Sequence, residues 1–196
     1  DALADDLAGL LDHFGVTAAT IVGVSMGGVT ALALAARHPG HVARVAACDC
    51  QPASTPAGAA AWDERIAVAQ AGGMAALVEP TVARWFRPET VRQDPPALRR
   101  VRAGIGATPL DGFIRAARAL QDYDLRSVLP TLRCPAAFIA GAEDGTLPEV
   151  MRAMAGLCTG ATFTAIPDAG HLPNVEQPAP FNAALSALLA TPPYRG

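Results

Sequence analysis

The chain has 196 residues and a formal net charge of −3, and 51% of its residues are hydrophobic while 17% are charged. This length fits one domain with a substantial core, and the acidic balance without a basic stripe argues against nucleic acid as a partner. We predict no membrane contact either, because there is no apolar run of about 18 residues and the acidic start DALADD differs from a secretory signal.

The four cysteines indicate the compartment of the protein. Cys48 and Cys50 are separated by one residue, which is too close for the usual zinc spacing, and no histidine lies at ligand distance in the sequence. We therefore predict reduced thiols in a cytoplasmic protein at these positions and at Cys134 and Cys158.

The first part of the chain alternates helix and strand. Leucines and a phenylalanine recur at helical spacing over residues 1–14. Residues 18–24, AATIVGV, form a short apolar run that is typical of a strand buried on both faces of a parallel sheet. A helix is predicted from Gly27 to about Arg37, and a second buried strand from Val42 to Cys48.

Residues 51–121 have a different character, because proline and glycine separate several short helical segments. Both tryptophans of the chain, Trp62 and Trp85, lie in this stretch. We predict a helical lid inserted between sheet strands, and residues 1–50 and 122–196 then form the core domain. The helices of the lid are predicted at 58–71, 73–87, 95–104 and 111–121.

Strand patterning returns in the last part of the chain, at 135–141 and 161–166, with helices at 148–157 and 177–190. Alternating strands and helices predict an α/β fold in which helices flank a parallel sheet, with right-handed crossover connections.

A G-x-S-x-G motif, Gly23-Val24-Ser25-Met26-Gly27, joins the first predicted strand to the helix after it. In this context the motif presents a nucleophilic serine at a sharp turn. We expect that a side chain at position 23 or 27 would collide with the neighbouring backbone. Ser25 is the candidate nucleophile, and the backbone N–H of Met26 is a candidate oxyanion donor. The alternative is a glycine-rich turn with an incidental serine.

A serine nucleophile needs a base, and His171 is the best placed of the four histidines. It follows the last predicted strand, so it should lie at the carboxyl edge of the sheet, where ligand-facing loops meet. We interpret His13, His38 and His41 as surface residues, because they lie near helix ends or a strand start.

The acid that orients the base should follow the intervening strand. Asp144 does so, and the chain order Ser25, Asp144, His171 is one in which such triads occur. Glu143 and Asp168 compete for the same role. A triad of this kind needs neither a metal ion nor an organic cofactor, so we expect none.

With these residues in place, the chain resembles the α/β-hydrolase family and, within it, the 3-oxoadipate enol-lactonases of aromatic compound catabolism. The resemblance covers nearly the whole chain. It is carried by the elbow GVSMGG, the lid stretch WDERIAVAQAGGMAALVEPTVARWF and the segments GAEDGTLP and AGHLPNVEQP. It implies a carboxylic ester hydrolase that opens a small enol-lactone through an acyl-enzyme on Ser25.

The resemblance also implies a substrate with a free carboxylate, which needs a cation or polar donors. The candidate substrate-binding residues are Trp62, Arg65, Arg84 and Trp85. The alternative is that the tryptophans pack in the lid and the arginines lie on its surface. Asp49-Cys50 departs from the lactonases, which tend to be uncharged at this place after the second strand. A carboxylate here would repel an anionic substrate if it faced the pocket. This departure leaves room for a neutral ester or lactone.

The chain opens on the helix before the nucleophile strand, whereas the family fold has several strands ahead of it and takes a second oxyanion donor from one of their loops. The strand at 18–24 is therefore expected to form an open edge. We expect either association with another copy or completion by a further segment. Two alternative functions are a general carboxylesterase or C–C bond hydrolase, and a catalytically dead binding protein on the same fold.

Overall fold

The computed structural model describes residues 2–194, which divide into two compact units. Residues 2–52 and 125–194 form the first, here called the sheet unit, and residues 53–124 form the second, here called the helical unit.

The sheet unit is built on four parallel strands in the spatial order β1-β2-β3-β4. They are β1 (Ala19–Val24), β2 (Val42–Cys48), β3 (Ala136–Gly141) and β4 (Thr162–Ile166). Each strand begins and ends within one residue of the apolar run that predicted it, and the predicted parallel α/β architecture is confirmed.

Ten α-helices occur within residues 2–194, and most of them fall where a helix was predicted. They are α1 (Ala2–His13), α2 (Met26–Arg37), α3 (Pro56–Gly72), α4 (Val78–Trp85), α5 (Pro88–Gln93), α6 (Pro96–Ala107), α7 (Leu110–Ala119), α8 (Leu147–Leu157), α9 (Pro173–Glu176) and α10 (Pro178–Ala190).

Three short elements differ from the prediction. The segment predicted as one helix at 73–87 begins as a 3-10 turn, Met74–Leu77, before α4. The helices α5 and α9 were not predicted. They have six and four residues and each begins with proline, so they are too short to produce an apolar period in the sequence.

Helices cover both faces of the sheet. Val45 of β2 packs in the same apolar cluster as Leu32 of α2 and Met151 of α8. The next residue, Ala46, packs on the opposite face with Leu188 of α10. Because successive side chains of a strand point to opposite faces, a sheet covered on both sides requires the nearly continuous apolar runs seen in the sequence.

The strand β1 lies at an edge of this sheet. It pairs with β2 on one side, and residues 2–194 contain no strand on its other side. Within the same described range, no helix is both long enough and apolar enough to cross a membrane.

Candidate active site

The polar residues singled out in the sequence follow the carboxyl ends of the parallel strands. Ser25 comes directly after β1, Asp49 directly after β2, Asp144 in the loop after β3 and His171 in the loop after β4. Since all four strands are parallel, these ends lie along one edge of the sheet, which is where open α/β sheets bind ligands.

Ser25 occupies the sharp turn that its motif predicts. Its backbone has a φ of 56° and a ψ of −118°, a strained conformation for a residue other than glycine. The backbone N–H of Ser25 donates to the carbonyl of Cys48 at 2.8 Å, which holds the turn against the end of β2. The side chain of Ser25 makes no capping hydrogen bond to the first turn of α2, so the hydroxyl group does not serve as the N-cap of that helix.

The glycines beside Ser25 have different surroundings. A Cβ atom at Gly23 would lie 2.1 Å from the carbonyl carbon of Gly27, so the expected collision is confirmed at position 23. It is wrong for position 27, because a Cβ atom there meets nothing within 4 Å among the described residues. Gly28, which was not predicted to be constrained, is the second crowded position of this turn, since a Cβ atom there would lie 2.9 Å from Cys50 Sγ.

Met26 is the first residue of α2, so its backbone N–H belongs to the positively polarised end of that helix. Its carbonyl oxygen accepts a hydrogen bond from the Thr30 hydroxyl at 2.9 Å, which closes the first turn.

His171 and Asp144 lie in direct contact. His171 Nδ1 and Asp144 Oδ2 are 2.7 Å apart, and the two side chains are only 13% and 15% exposed. The hydrogen bond occupies Nδ1 and therefore leaves Nε2 as the ring nitrogen that can accept a proton. Glu143 and Asp168, the competing acids, have exposed side chains.

Side-chain hydrogen bonds fix the loop that carries His171. The Glu176 carboxylate accepts a hydrogen bond from the Gly170 N–H at 2.6 Å, and the Gln177 side chain donates to the Asp168 carbonyl at 3.1 Å. A Cβ atom at Gly141 would lie 1.9 Å from the Gly170 carbonyl oxygen, so this loop packs directly on the end of β3. These supports were not predicted from the sequence, because each joins positions whose proximity only the fold determines.

Asp49 lies beside this pair. It is 1% exposed, and its Oδ1 accepts a hydrogen bond from the Gly141 N–H at 2.8 Å. Burial, which is the largest cause, and the nearby Asp144 carboxyl together raise the pKa of the Asp49 carboxyl to about 9, while the hydrogen bond from the Gly141 N–H acts to lower it. Asp49 is therefore packed inside the sheet unit instead of presenting an exposed carboxylate.

Asp49, Asp144 and His171 also form the one group of described residues in which three ligand-type side chains come within 4.8 Å of one another. These three side chains are of the kinds that bind cations, but the imidazole of His171 and the carboxylate of Asp144 are hydrogen-bonded directly to each other. That hydrogen bond is the arrangement expected for orienting a base.

The other described histidines belong to the surface of the sheet unit. His38 Nε2 lies 2.7 Å from Asp5 Oδ1, and His41 Nε2 lies 2.8 Å from Asp12 Oδ1. His13 is exposed.

The four candidate substrate-binding residues line one cavity of the helical unit. Arg65 lies over the Trp62 ring, with its guanidinium carbon 4.6 Å from the ring centroid. Burial lowers the pKa of Arg65 from its ordinary value, while the Glu64 charge raises it. The rest of the lining is mainly apolar and consists of Met74, Leu77, Thr81, Ile105, Thr108 and Phe113.

All four cysteines are free and buried. Burial raises the pKa of the Cys50 thiol to about 12 and that of Cys158 to about 11, which makes them poor nucleophiles at neutral pH.

Known proteins are similar to this chain in sequence and in fold. The chain is 30% identical over 191 residues to "3-oxoadipate enol-lactonase 2" of Acinetobacter baylyi, which covers 96% of this chain and 70% of that protein. A crystal structure of a hydrolase from Pseudomonas aeruginosa has 33% identity and a TM-score of 0.89, covering 96% of this chain and 71% of that one. The enol-lactonase from Burkholderia xenovorans has 31% identity and a TM-score of 0.89, covering 96% of this chain and 72% of that one.

These matches confirm the resemblance to enol-lactonases, and the chain corresponds to rather more than two thirds of each of those proteins. The profile described as "Alpha/beta hydrolase family" matches residues 1–184. This chain therefore belongs to the alpha/beta hydrolase family.

Proposed function

We propose that the chain carries the active site of a serine hydrolase that cleaves small esters or lactones through an acyl-enzyme. The observation that carries this proposal is the 2.7 Å hydrogen bond between His171 Nδ1 and Asp144 Oδ2, in loops that follow neighbouring strands. Ser25 stands at the same edge of the sheet, in a turn that exposes a nucleophile in this fold.

The reaction begins when Ser25 Oγ attacks the carbonyl carbon and His171 Nε2 takes its proton. Asp144 holds the imidazole through Nδ1 and stabilises the imidazolium that forms. The Met26 N–H donates to the carbonyl oxygen as that oxygen becomes negative. His171 returns the proton to the leaving oxygen, and it then activates the water that hydrolyses the acyl-enzyme and restores Ser25.

Within this class we propose an enol-lactone with a free carboxylate as the preferred substrate. Its ring oxygen departs as an enolate, which is a good leaving group, and takes the proton from His171. The support is the similarity to proteins named enol-lactonases and the presence of Arg65 and Arg84 beside two tryptophans in one cavity. The guanidinium groups would bind the carboxylate, and the tryptophans the apolar body. The setting implied is aromatic compound catabolism in the cytoplasm.

The proposed acyl-enzyme mechanism is tested by measuring the hydrolysis of p-nitrophenyl acetate and of an enol-lactone, with the release of product recorded during the first seconds of the reaction. An acyl-enzyme that is hydrolysed more slowly than it forms gives a burst of p-nitrophenol equal to the enzyme concentration. Ser25→Ala should abolish the burst and turnover, whereas Ser186→Ala, on the exposed face of α10, should change neither. Turnover that survives Ser25→Ala would contradict the proposed nucleophile.

A panel of substrates separates the alternatives. A general carboxylesterase would prefer neutral esters to the anionic lactone, and a C–C bond hydrolase would cleave a diketone while hydrolysing simple esters slowly. A binding protein without catalytic activity would bind the same ligands with no turnover and with an affinity that Ser25→Ala leaves unchanged.

A further inference from the structure

Asp49 is a buried carboxyl group that the proposed mechanism does not use. It follows β2 directly, and its backbone has a φ of 44°. Besides the hydrogen bond from Gly141 to Oδ1, its own N–H donates to the Ile139 carbonyl at 3.0 Å. Both contacts hold Asp49 against the end of β3, where the loop with Asp144 begins.

The second carboxyl oxygen of Asp49 has no evident donor. Oδ2 is buried and has no hydrogen-bond partner within residues 2–194. Yet ligand atoms of Asp49, Asp144 and His171 all lie within 4.8 Å of one another. Two ionised carboxylates this close cannot hydrogen-bond, because neither carries a proton, and away from water they repel each other. A single proton on the pair removes the repulsion and turns the unsatisfied oxygen into a donor.

The environments of the two carboxyl groups decide which of them holds that proton. Asp144 accepts the His171 ring N–H and is 15% exposed, so its ionised form is both paired and partly hydrated. Asp49 is 1% exposed and receives one backbone N–H. Burial is accordingly the main cause of the raised pKa of Asp49.

The other titratable groups packed near Asp49 are consistent with a proton on Asp49. The thiols of Cys48 and Cys50 lie beside its carboxyl group, and burial raises the pKa of both, so neither supplies a charge at neutral pH. The groups that face Asp49 from the loops after β3 and β4 are Asp144 and His171.

We propose that Asp49 is a positioning residue that keeps its proton at neutral pH and donates it in a hydrogen bond to the carboxylate of Asp144. Gly141 anchors Asp49 to β3, and Asp49 in turn holds Asp144 so that Oδ2 stays directed at His171 Nδ1. The catalytic consequence rests on the proposed function, whereas the protonation of Asp49 does not.

Thermal unfolding of the 196-residue chain tests the protonation without any assay of activity. A carboxyl group whose pKa is raised from 3.8 to about 9 on folding stabilises the fold fully below the lower value and loses this contribution as pH rises to the higher one. Asp49→Asn keeps the shape and a donor for Asp144, tolerates the left-handed φ and does not titrate. The Tm of Asp49→Asn minus the Tm of the wild type should therefore increase as the pH is raised from about 5 to about 9.

The matched control is Asp94→Asn in the helical unit, where the aspartate also has a positive φ, of 43°, but pairs with Arg99 and Arg102 near the surface. Its Tm relative to the wild type should show no such rise. Infrared difference spectra of wild type minus Asp49→Asn should also contain the carbonyl stretch of a neutral carboxylic acid at neutral pH. A constant Tm difference together with an ionised carboxylate band would overturn the proposal.

Kinetics on p-nitrophenyl acetate test the positioning role. Asp49→Asn should retain kcat within about threefold at neutral pH, while Asp49→Gly, which also accepts the positive φ, should lose about tenfold or more in kcat with little change in KM. The wild-type rate should fall above about pH 9 as Asp49 ionises, and that of Asp49→Asn should not. Full kcat in Asp49→Gly would refute the positioning role. If the wild type hydrolyses no ester, the proposed function fails, and the unfolding and infrared measurements still decide the protonation.

Discussion

At the residue scale, the turn at Ser25 depends on close approach of backbone atoms more than on the motif letters. A Cβ atom at Gly23 would lie 2.1 Å from the backbone of Gly27 and 2.6 Å from that of Gly28, whereas a Cβ atom at Gly27 would face open space in the described chain. Two glycines that look equivalent in G-x-S-x-G are therefore under different constraints.

A pair of alanine substitutions separates these constraints. Gly23→Ala should lower the free energy of unfolding by about 2 kcal/mol or more, because the new methyl group meets backbone atoms that cannot rotate away. Gly27→Ala should be neutral or stabilise the chain by up to about 1 kcal/mol, because alanine is the better helix former. Urea unfolding of both variants measures the difference, and equal destabilisation would contradict the explanation.

The Asp144 carboxylate, which is hydrogen-bonded to His171, gives a second prediction at the residue scale. Asp144→Asn keeps the size of the side chain but cannot stabilise the imidazolium and favours the wrong tautomer, so kcat for p-nitrophenyl acetate should fall by about 10³ to 10⁴. Glu143→Gln removes a charge from the adjacent exposed residue and should change kcat less than about twofold. A larger loss in Glu143→Gln than in Asp144→Asn would reassign the acid.

At the element scale, residues from several helices line the cavity of the helical unit. Arg65 of α3 and Arg84 of α4 reach the same cavity, although 19 positions separate them in the chain. The 3-10 turn Met74–Leu77 joins these helices and contributes Met74 and Leu77 to the apolar lining.

A prediction for the helical unit concerns Arg65 of α3 and its effect on KM. If its guanidinium binds the substrate carboxylate, Arg65→Met should raise KM for an anionic lactone by about tenfold or more, because a charge-assisted hydrogen bond is lost. KM for the neutral p-nitrophenyl acetate should hardly change. Arg100→Met, at an exposed position of α6, is the matched control and should affect neither substrate. An equal rise in KM for the anionic and the neutral substrate would point to altered packing.

At the scale of the whole molecule, the sheet of the described chain has an exposed edge at β1. A strand edge presents unpaired N–H and C=O groups to which another strand can add. Val22, in the middle of β1, is 43% exposed, and it adds apolar surface to this edge.

We therefore expect the 196-residue chain to self-associate through β1. Val22→Lys should shift the population toward monomer in light scattering, because a buried lysine at a strand–strand contact opposes pairing. Val68→Lys changes a residue of α3 with a nearly equal exposure of 44%, and it should leave the mass distribution unchanged. A monodisperse wild-type monomer would contradict the expected association.

Much of this architecture was predictable from the sequence, because its signals are local. Apolar runs of five to seven residues specify the four strands, and the spacing of leucines specifies the amphipathic α1. Burial on both faces holds for the central strands β2 and β3, whereas the expectation that β1 is buried on both faces is wrong, because β1 lies at the edge of the sheet and none of its residues is fully buried. The motif around Ser25 and the chain order Ser25, Asp144, His171 also depend only on neighbouring letters and on the rule that parallel strands end at one edge.

Contacts between distant positions were decided by the tertiary structure alone. The parallel register pairs Cys48 of β2 with Ile139 of β3, and this places Asp49 on the Gly141 N–H, 92 positions away in the chain. The same packing selects Asp144 as the carboxylate in contact with His171 and crowds Gly23 but not Gly27. Strand register and loop packing arise from the burial of many side chains at once, and no short segment of sequence encodes them.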